Sequence, residues 1–565
     1  MVHQLVGILV AIDRYSTVER LYVAARLAPL HSHWDTFDRQ ASEPVSFVQW
    51  LPRFFDEVLL CVEGEARWCQ AVLPDLHPQL LLAMLRALFS KTRKGFTRRL
   101  EVAVQPQKAI EATSLAEVMG AQGATAHFAR SLLSTLSGLT GGEASSIVEG
   151  FMLPFQTYLQ SYGQLEAAVL ANEVASLGLD SATEEELDNV VSFLSNTVPH
   201  ILQTVEHAVD RCMKFTGGTE ISALLRVVDD ALAQYCSHLM KVVGSVRARC
   251  IPSEGSHSKA NAEDAVWESG LSDATEKEVV PGEEVSMVIQ LLGMANSLVG
   301  QLGVLDAQMH SVVVEAAATV ERVVNSASTA ALGTDAEVAA NPAVVIIAAH
   351  VAANPKLPNS LAALLNQVQD QRYNALPAST QRASLVQQAV DDLVYDSLTH
   401  MVADQFKQVP HLPNWAEAAS DNAFNLPSFS AYPMGYVSSV GEYLMTLPQQ
   451  LEAWMVSEEE DTVSNIDAEW LDKVATGAAE LYSKQLLAIP KLSAKGAQQL
   501  SADLEYFCNV LSALSVPLPG PLATIQVAVG LPEANFSAAA ADALQQPFID
   551  RRTFEQVATA RGLSL

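Results

Sequence analysis

The chain has 565 residues, is 49% apolar and 17% charged, and carries a formal charge of −30. That much apolar material can bury sizeable cores. So large an excess of acid repels nucleic-acid phosphates and anionic lipid over most of the surface, which excludes general nucleic-acid binding and favours solubility or a basic protein partner.

Residues 5–12 are apolar, but no basic stretch precedes them and Asp13 and Arg14 follow directly, so no signal peptide is expected. Residues 1–115 read as short helices joined by loops, with 80–89 the clearest helical set and 98–104 the one place where a strand competes. His31, His33 and Asp35 have the spacing of a metal-binding strand edge, but no further ligand cluster accompanies them and a surface loop is the plainer reading. Lys91, Arg93, Lys94, Arg98 and Arg99, with Phe96 among them, form the one basic run in an acidic chain. They read either as a contact for phospholipid head groups or as a solvated loop after the preceding helix, where positive charge also suits the helix dipole. Further helices fill 124–176, interrupted by Gly141-Gly142 and Pro154. Those glycines, with Gly138, read as a loop.

A capping box, Ser181 with Glu184 or Thr183 with Glu186, marks the start of a long helix. Leu187, Val191, Leu194, Val198, Ile201, Val205, Ala208 and Cys212 follow at alternating steps of four and three. After Gly217-Gly218, Ile221, Leu225, Val228, Leu232, Tyr235, Leu239, Val242 and Val246 take up the same rhythm. Each set is a narrow apolar seam on one helix face, which must pack on another helix. Glycine at a helix end supplies the left-handed turn that folds the chain back, so the pair predicts an antiparallel helical hairpin. Pro199 removes a backbone hydrogen bond inside the first helix and predicts a kink.

Residues 253–284 are acidic and poor in apolar side chains, the composition of a disordered linker. A third seam runs from Val288 to Val323 with Asp306 as its single polar break, predicting a helix of some 60 Å. Residues 326–384 are rich in Ala, Asn and Pro and read as partly loose. Helices resume at Ser384. Pro433 can start one and Pro448 end it, residues 470–489 form another before Pro490, and Ser493 caps a fourth seam of Leu500, Leu504, Phe507, Leu511 and Leu514. The run Glu458 to Asp461 reads as a solvated acidic loop. The organisation predicted is an N-terminal helical bundle region (1–252), an acidic disordered linker (253–284), a long helix plus a loose Ala/Pro-rich connection (285–383) and a C-terminal helical bundle (384–565). The fold class is all-α, an elongated rod of antiparallel helical bundles.

The six cysteines, at 61, 69, 212, 236, 250 and 508, contain no CxxC pair and read as buried thiols. No membrane span is predicted, since the longest candidate, 343–353, is too short and is bracketed by Pro342 and Pro355. No HExxH, Walker A loop, nucleophile elbow or strand-led GxGxxG occurs. Distant carboxylates and histidines can still converge. Four seams without a catalytic cluster nevertheless favour a structural or interaction protein, with no catalytic, cofactor-binding or metal residues.

Four collinear stretches resemble the family of subunit 7 of the conserved oligomeric Golgi (COG) complex. They are Ala124-Thr125-Ala126-His127-Phe128-Ala129; Ala208 through Arg211-Cys212 to Gly217; Pro433 through Tyr436, Gly441 and Tyr443 to Leu451-Glu452; and Ile489-Pro490 through Leu492-Ser493 and Gln499-Leu500 to Asp503-Leu504-Glu505-Tyr506 and Asn509-Val510. The resemblance implies a helical-rod subunit of a multisubunit vesicle-tethering complex on the cytosolic face of the Golgi. Such a subunit acts in retrograde intra-Golgi transport and retention of Golgi enzymes. It implies other COG subunits as partners, foremost 5, 6 and 8, with SNAREs and Rab proteins as further trafficking partners and peripheral membrane contact only. It also implies that the chain starts after a heptad-bearing N-terminal region of the family, and it transfers no catalytic residue. The alternative is a helical adaptor or tether of another trafficking pathway.

Overall fold

A computed structural model describes residues 4, 6, 8–9, 14–37, 46–104, 112–136, 143–180, 187–251, 281–330, 343–370, 372–416, 432–454 and 463–564. The capping box, most of the acidic linker, Gly138 with Gly141-Gly142, and the Glu458–Asp461 run lie outside the described residues. Among the described residues every extended element is a helix and none is a strand. The all-α expectation therefore holds, and the strand considered at 98–104 is instead the end of a helix.

The principal helices in chain order are α1 (Tyr15–Thr36), α2 (Phe47–Val72), α3 (His77–Val104), α4 (Ala112–Leu136), α5 (Glu143–Met152), α6 (Tyr162–Ser176), α7 (Leu187–Thr216), α8 (Ile221–Cys250), α9 (Pro281–Ala330), α10 (Ala343–Ala353), α11 (Leu357–Val368), α12 (Pro377–Lys407), α13 (Gly435–Trp454), α14 (Val463–Leu487), α15 (Ala494–Ala513), α16 (Gly520–Gly530), α17 (Phe536–Ala543) and α18 (Arg551–Ala560). They form two compact units. One comprises residues 1–180, 196–238 and 298–383, the other 181–195, 239–297 and 384–565. Helices α7, α8, α9 and α12 contribute residues to both.

In the first unit, α1 packs on α3, and α2 on α4. The core is aromatic. Phe55 stacks on Phe128 at 4.2 Å, Phe89 meets Phe151 edge-on at 4.0 Å, and Phe96 lies 5.8 Å from Phe47. Each ring buries a large apolar surface, and the offset and edge-on geometries add about 0.5–1.5 kcal/mol per pair. The helices here are longer than composition suggested, because apolar residues recur on one face through the polar stretches.

The hairpin forms as the seams require. From Val191 to Cys212 and from Ile221 to Val246, every seam residue with a described side chain is buried. Thr197 and Tyr235 share a hydrogen bond of 2.8 Å, each 19 residues from Thr216, so α7 and α8 run antiparallel in this unit. Gly217 and Gly218 take φ of +62° and +85°, the left-handed values that a side chain disfavours. A Cβ at Gly217 would strike Ile347 of α10, and one at Gly218 would lie 2.6 Å from the Cβ of Ala316 in α9. The helix α7 is continuous through Pro199.

The third seam is a 50-residue helix, about 75 Å long at 1.5 Å per residue. Its residues 285–325 are long and apolar enough to cross a membrane, which the composition reading missed. Half of the most apolar window is buried within the protein, however, with Val288, Leu302, Met309, Val313 and Ala316 all inside. This is the pattern of a core helix. Residues 343–353 and 357–368, read as loose, are helices α10 and α11. Alanine supplies the propensity, while Ile346, Ile347 and Leu361 supply burial.

In the second unit α13 packs on α14 and α15, and α15 and α18 pack on α16. Phe406, Tyr482 and Phe507 form its centre, with Phe406 stacked on Tyr482 at 4.6 Å. Pro448 does not end α13 but lies inside it. Its missing hydrogen bond costs about 3 kcal/mol. Full burial of Leu444, Leu447 and Leu451 on either side contributes about 1.5–3 kcal/mol each and carries the helix through. Ser493 caps α15 as predicted, its hydroxyl accepting from Gly496 N at 3.1 Å.

Candidate interaction surface and buried polar clamps

The candidates drawn from the sequence separate once placed. His31, His33 and Asp35 lie in helix α1, where residues two apart point to different sides. His33 Nδ1 pairs with Glu57 at 2.5 Å and its ring lies edge-on to Trp50 and Phe54, whereas Asp35 meets Lys91 at 4.0 Å. Among the described residues no group of three or more His, Cys, Asp or Glu is placed to hold a metal.

The basic run belongs to helix α3, not to a loop. Its periodicity splits it. Lys91, Arg93, Lys94 and Arg98 are exposed, whereas Arg99 is 7% exposed. The Arg99 guanidinium lies 4.1 Å over Trp34 and 4.9 Å over Phe37, and Nη2 donates to the Trp34 carbonyl at 2.9 Å. A planar, weakly hydrated cation can be buried this way where an ammonium would lose far more hydration. Arg99 is therefore a fastener between α3 and α1, and four bases remain on the surface.

Sequence reasoning missed the buried polar clamps, whose partners lie far apart in the chain. On α6, Glu166 is fully buried. It accepts from Arg211 Nε at 3.1 and 3.2 Å, from Arg211 Nη2, and from Tyr162 Oη at 3.0 Å. Burial and the adjoining carboxylate hold the Tyr162 hydroxyl well above its usual pKa, so it stays a donor.

A second clamp closes on the start of α12. Asp306, the polar break in the third seam, accepts from Ala375 N at 2.7 Å and Leu376 N at 3.2 Å. Asp229 of α8 accepts from Ala378 N at 3.0 Å and Ser379 N at 2.8 Å. Pro377 stands between, where the absent N–H needs no acceptor. Two carboxylates from two helices thus satisfy the free donors at one helix N-terminus, where the macrodipole also favours negative charge.

The third clamp centres on Asp503 of α15, which is fully buried. Its carboxylate accepts from Met434 N at 2.8 Å, Gln499 Nε2 at 3.0 Å and Tyr436 Oη at 2.9 Å. Tyr436 Oη also meets Tyr482 Oη at 2.9 Å. Burial pushes the Asp503 carboxyl up, and its donors oppose that shift. Nearby on α13, a Cβ at Gly441 would lie 2.6 Å from the Tyr506 ring of α15, so the two helices approach closely there.

All six cysteines are free thiols. Burial raises Cys212 and Cys236 to about 12 and Cys508 to about 11, so these remain protonated and unreactive near neutral pH. Among the described residues, the buried polar clamps fasten one helix to another.

Comparison with known proteins gives a consistent result. The family model described as Golgi complex component 7 (COG7) matches residues 1–562. Conserved oligomeric Golgi complex subunit 7 of Arabidopsis thaliana is 32% identical, across 93% of this chain and 71% of its own length. The Homo sapiens protein of the same name is 23% identical, across 93% and 69%, and that of Mus musculus 22%, across 99% and 73%.

Proposed function

We propose, on the premise that the chain belongs to the Golgi complex component 7 family, that it is a non-catalytic subunit of the Golgi tethering complex. In this role it acts in retrograde intra-Golgi transport and so retains Golgi enzymes. Its partners are other subunits of that complex, with subunits 5, 6 and 8 the nearest, and SNAREs and Rab proteins are met through the assembly. It sits peripherally on the cytosolic face of the Golgi.

The observation that carries this reading is the match over residues 1–562. The helical architecture supports it. Long amphipathic helices offer faces on which partner helices can dock, and apolar stripes are the usual medium of such contacts. The fasteners Arg211, Tyr436 and Asp503, all inside stretches on which the resemblance rests, hold those helices in fixed register.

Depletion of the protein in cells tests the transport role. The expected outcome is mislocalised Golgi glycosyltransferases and truncated surface glycans, reversed by re-expression. Normal enzyme distribution and normal glycans after complete depletion would refute it.

A further inference from the structure

We infer that the exposed face of α3 is a contact for an anionic lipid bilayer, with Lys91, Lys94 and Arg98 as its charges and Val102 as its apolar tip. The inference rests on the Golgi-membrane reading above and assigns the surface that touches the membrane.

Charge distribution comes first. Helix α3 holds six Lys and Arg residues and a single acid, Glu101, in a chain whose net charge is −30. At 100° per residue, Lys91, Lys94, Arg98 and Val102 fall within about 80° of one another on the helix. All four are exposed, and Val102 is 61% exposed. The stripe faces away from the buried side formed by Thr92, Phe96, Arg99 and Leu100. Arg86 and Arg93 are exposed too, but lie about 80–100° beyond the Lys94 edge of the stripe and are not part of it. Asp35 lies 4.0 Å from Lys91 and Glu101 stands on the same helix, two acids against the three bases of the stripe.

The face cannot rotate. Arg99 is fastened to the Trp34 carbonyl and ring, and Gly95 lets Trp34 approach so closely that a Cβ would lie 3.1 Å from its Nε1. A convex helix face with bases in line and an apolar residue at one end suits a plane of head groups. The ammonium and guanidinium groups meet phosphates, and Val102 reaches the acyl boundary. An acidic peptide would use the bases but gain little from Val102.

The test is flotation of the full chain with phosphatidylcholine vesicles, with and without phosphatidylserine. The wild type should float only with phosphatidylserine present, and less as salt rises. The variant Lys91→Gln/Lys94→Gln/Arg98→Gln should lose on the order of 100-fold in partition. Val102→Ser should lose a smaller factor, with an unchanged thermal melt in each case. A control, Lys484→Gln/Lys491→Gln/Lys495→Gln, removes equal charge from exposed positions in the second unit and should float as wild type. Equal flotation of the stripe variant and the wild type, or equal loss in the control, overturns the inference. So does binding of polyglutamate but not of phosphatidylserine vesicles, which would transfer the stripe to an acidic protein. The stripe variant should still co-isolate sibling subunits. Failure of the wild type to float on phosphatidylserine vesicles while it still co-isolates siblings therefore rejects the lipid contact alone, whereas absence of siblings from the wild-type isolate rejects the tether reading.

Discussion

At Asp503, donors from Met434, Tyr436 and Gln499 converge on one carboxylate with no solvent access. Removing the acceptor leaves those donors stranded, so Asp503→Ala should cost about 3 kcal/mol or more in urea denaturation. Asp503→Asn should cost less, because Tyr436 can reverse its hydroxyl and accept. The two differ from wild type in pH dependence as well. The folded carboxyl has its pKa raised above the unfolded value of about 3.9. Its contribution to stability is therefore present below that value and is lost as pH rises through the raised folded pKa. The stability gap between wild type and Asp503→Asn should shift in favour of the Asn variant over that window. Parallel stability curves across pH would show that the carboxyl titrates alike in both states. Arg211→Ala strands a fully buried Glu166 and should cost about 3–5 kcal/mol, with Glu166→Gln/Arg211→Met recovering much of the loss. A double-mutant cycle by chemical denaturation measures that coupling. Legibility was poorest at this scale. Arg99 was counted among surface bases because its neighbours are basic. Only the position of Trp34, 65 residues earlier, shows it buried.

Helix boundaries and turns obeyed the seams wherever apolar spacing decided them. Gly217-Gly218 formed the predicted left-handed turn, and Gly217→Ala combines two penalties there. The backbone strain costs about 1–2 kcal/mol, and overpacking against Ile347 adds about 1–3 kcal/mol. Trimming Ile347 to Ala in the same chain should relieve the overpacking and leave the strain. Calorimetric melts of the single and double variants separate the two. Where burial and local propensity disagreed, burial won, as at Pro448. The start of α12 was illegible, since Asp229 lies 150 residues from the Ser379 amide it accepts from. Loss of either carboxylate by Asp229→Ala or Asp306→Ala should destabilise this start by about 1–2 kcal/mol. Amide exchange should then speed up at residues 375–380 before it does elsewhere. Unchanged protection there would mean that the caps do not hold the helix.

For the chain as a whole, the all-α class and the family were readable from periodicity and from four short stretches. Those stretches hold the residues that fasten helices together. Arg211 grips Glu166, Tyr436 and Asp503 share a buried network, and Phe128 stacks on Phe55. Their chemistry in these contacts is that of holding helix against helix. The most direct test of that role is affinity isolation of the tagged full chain from a membrane-containing lysate, followed by mass spectrometry. The sibling subunits of the Golgi tether should be recovered in comparable amounts, and fewer of them with Arg211→Ala, which loosens the helices. Recovery of the intact chain without any sibling subunit would contradict the central claim.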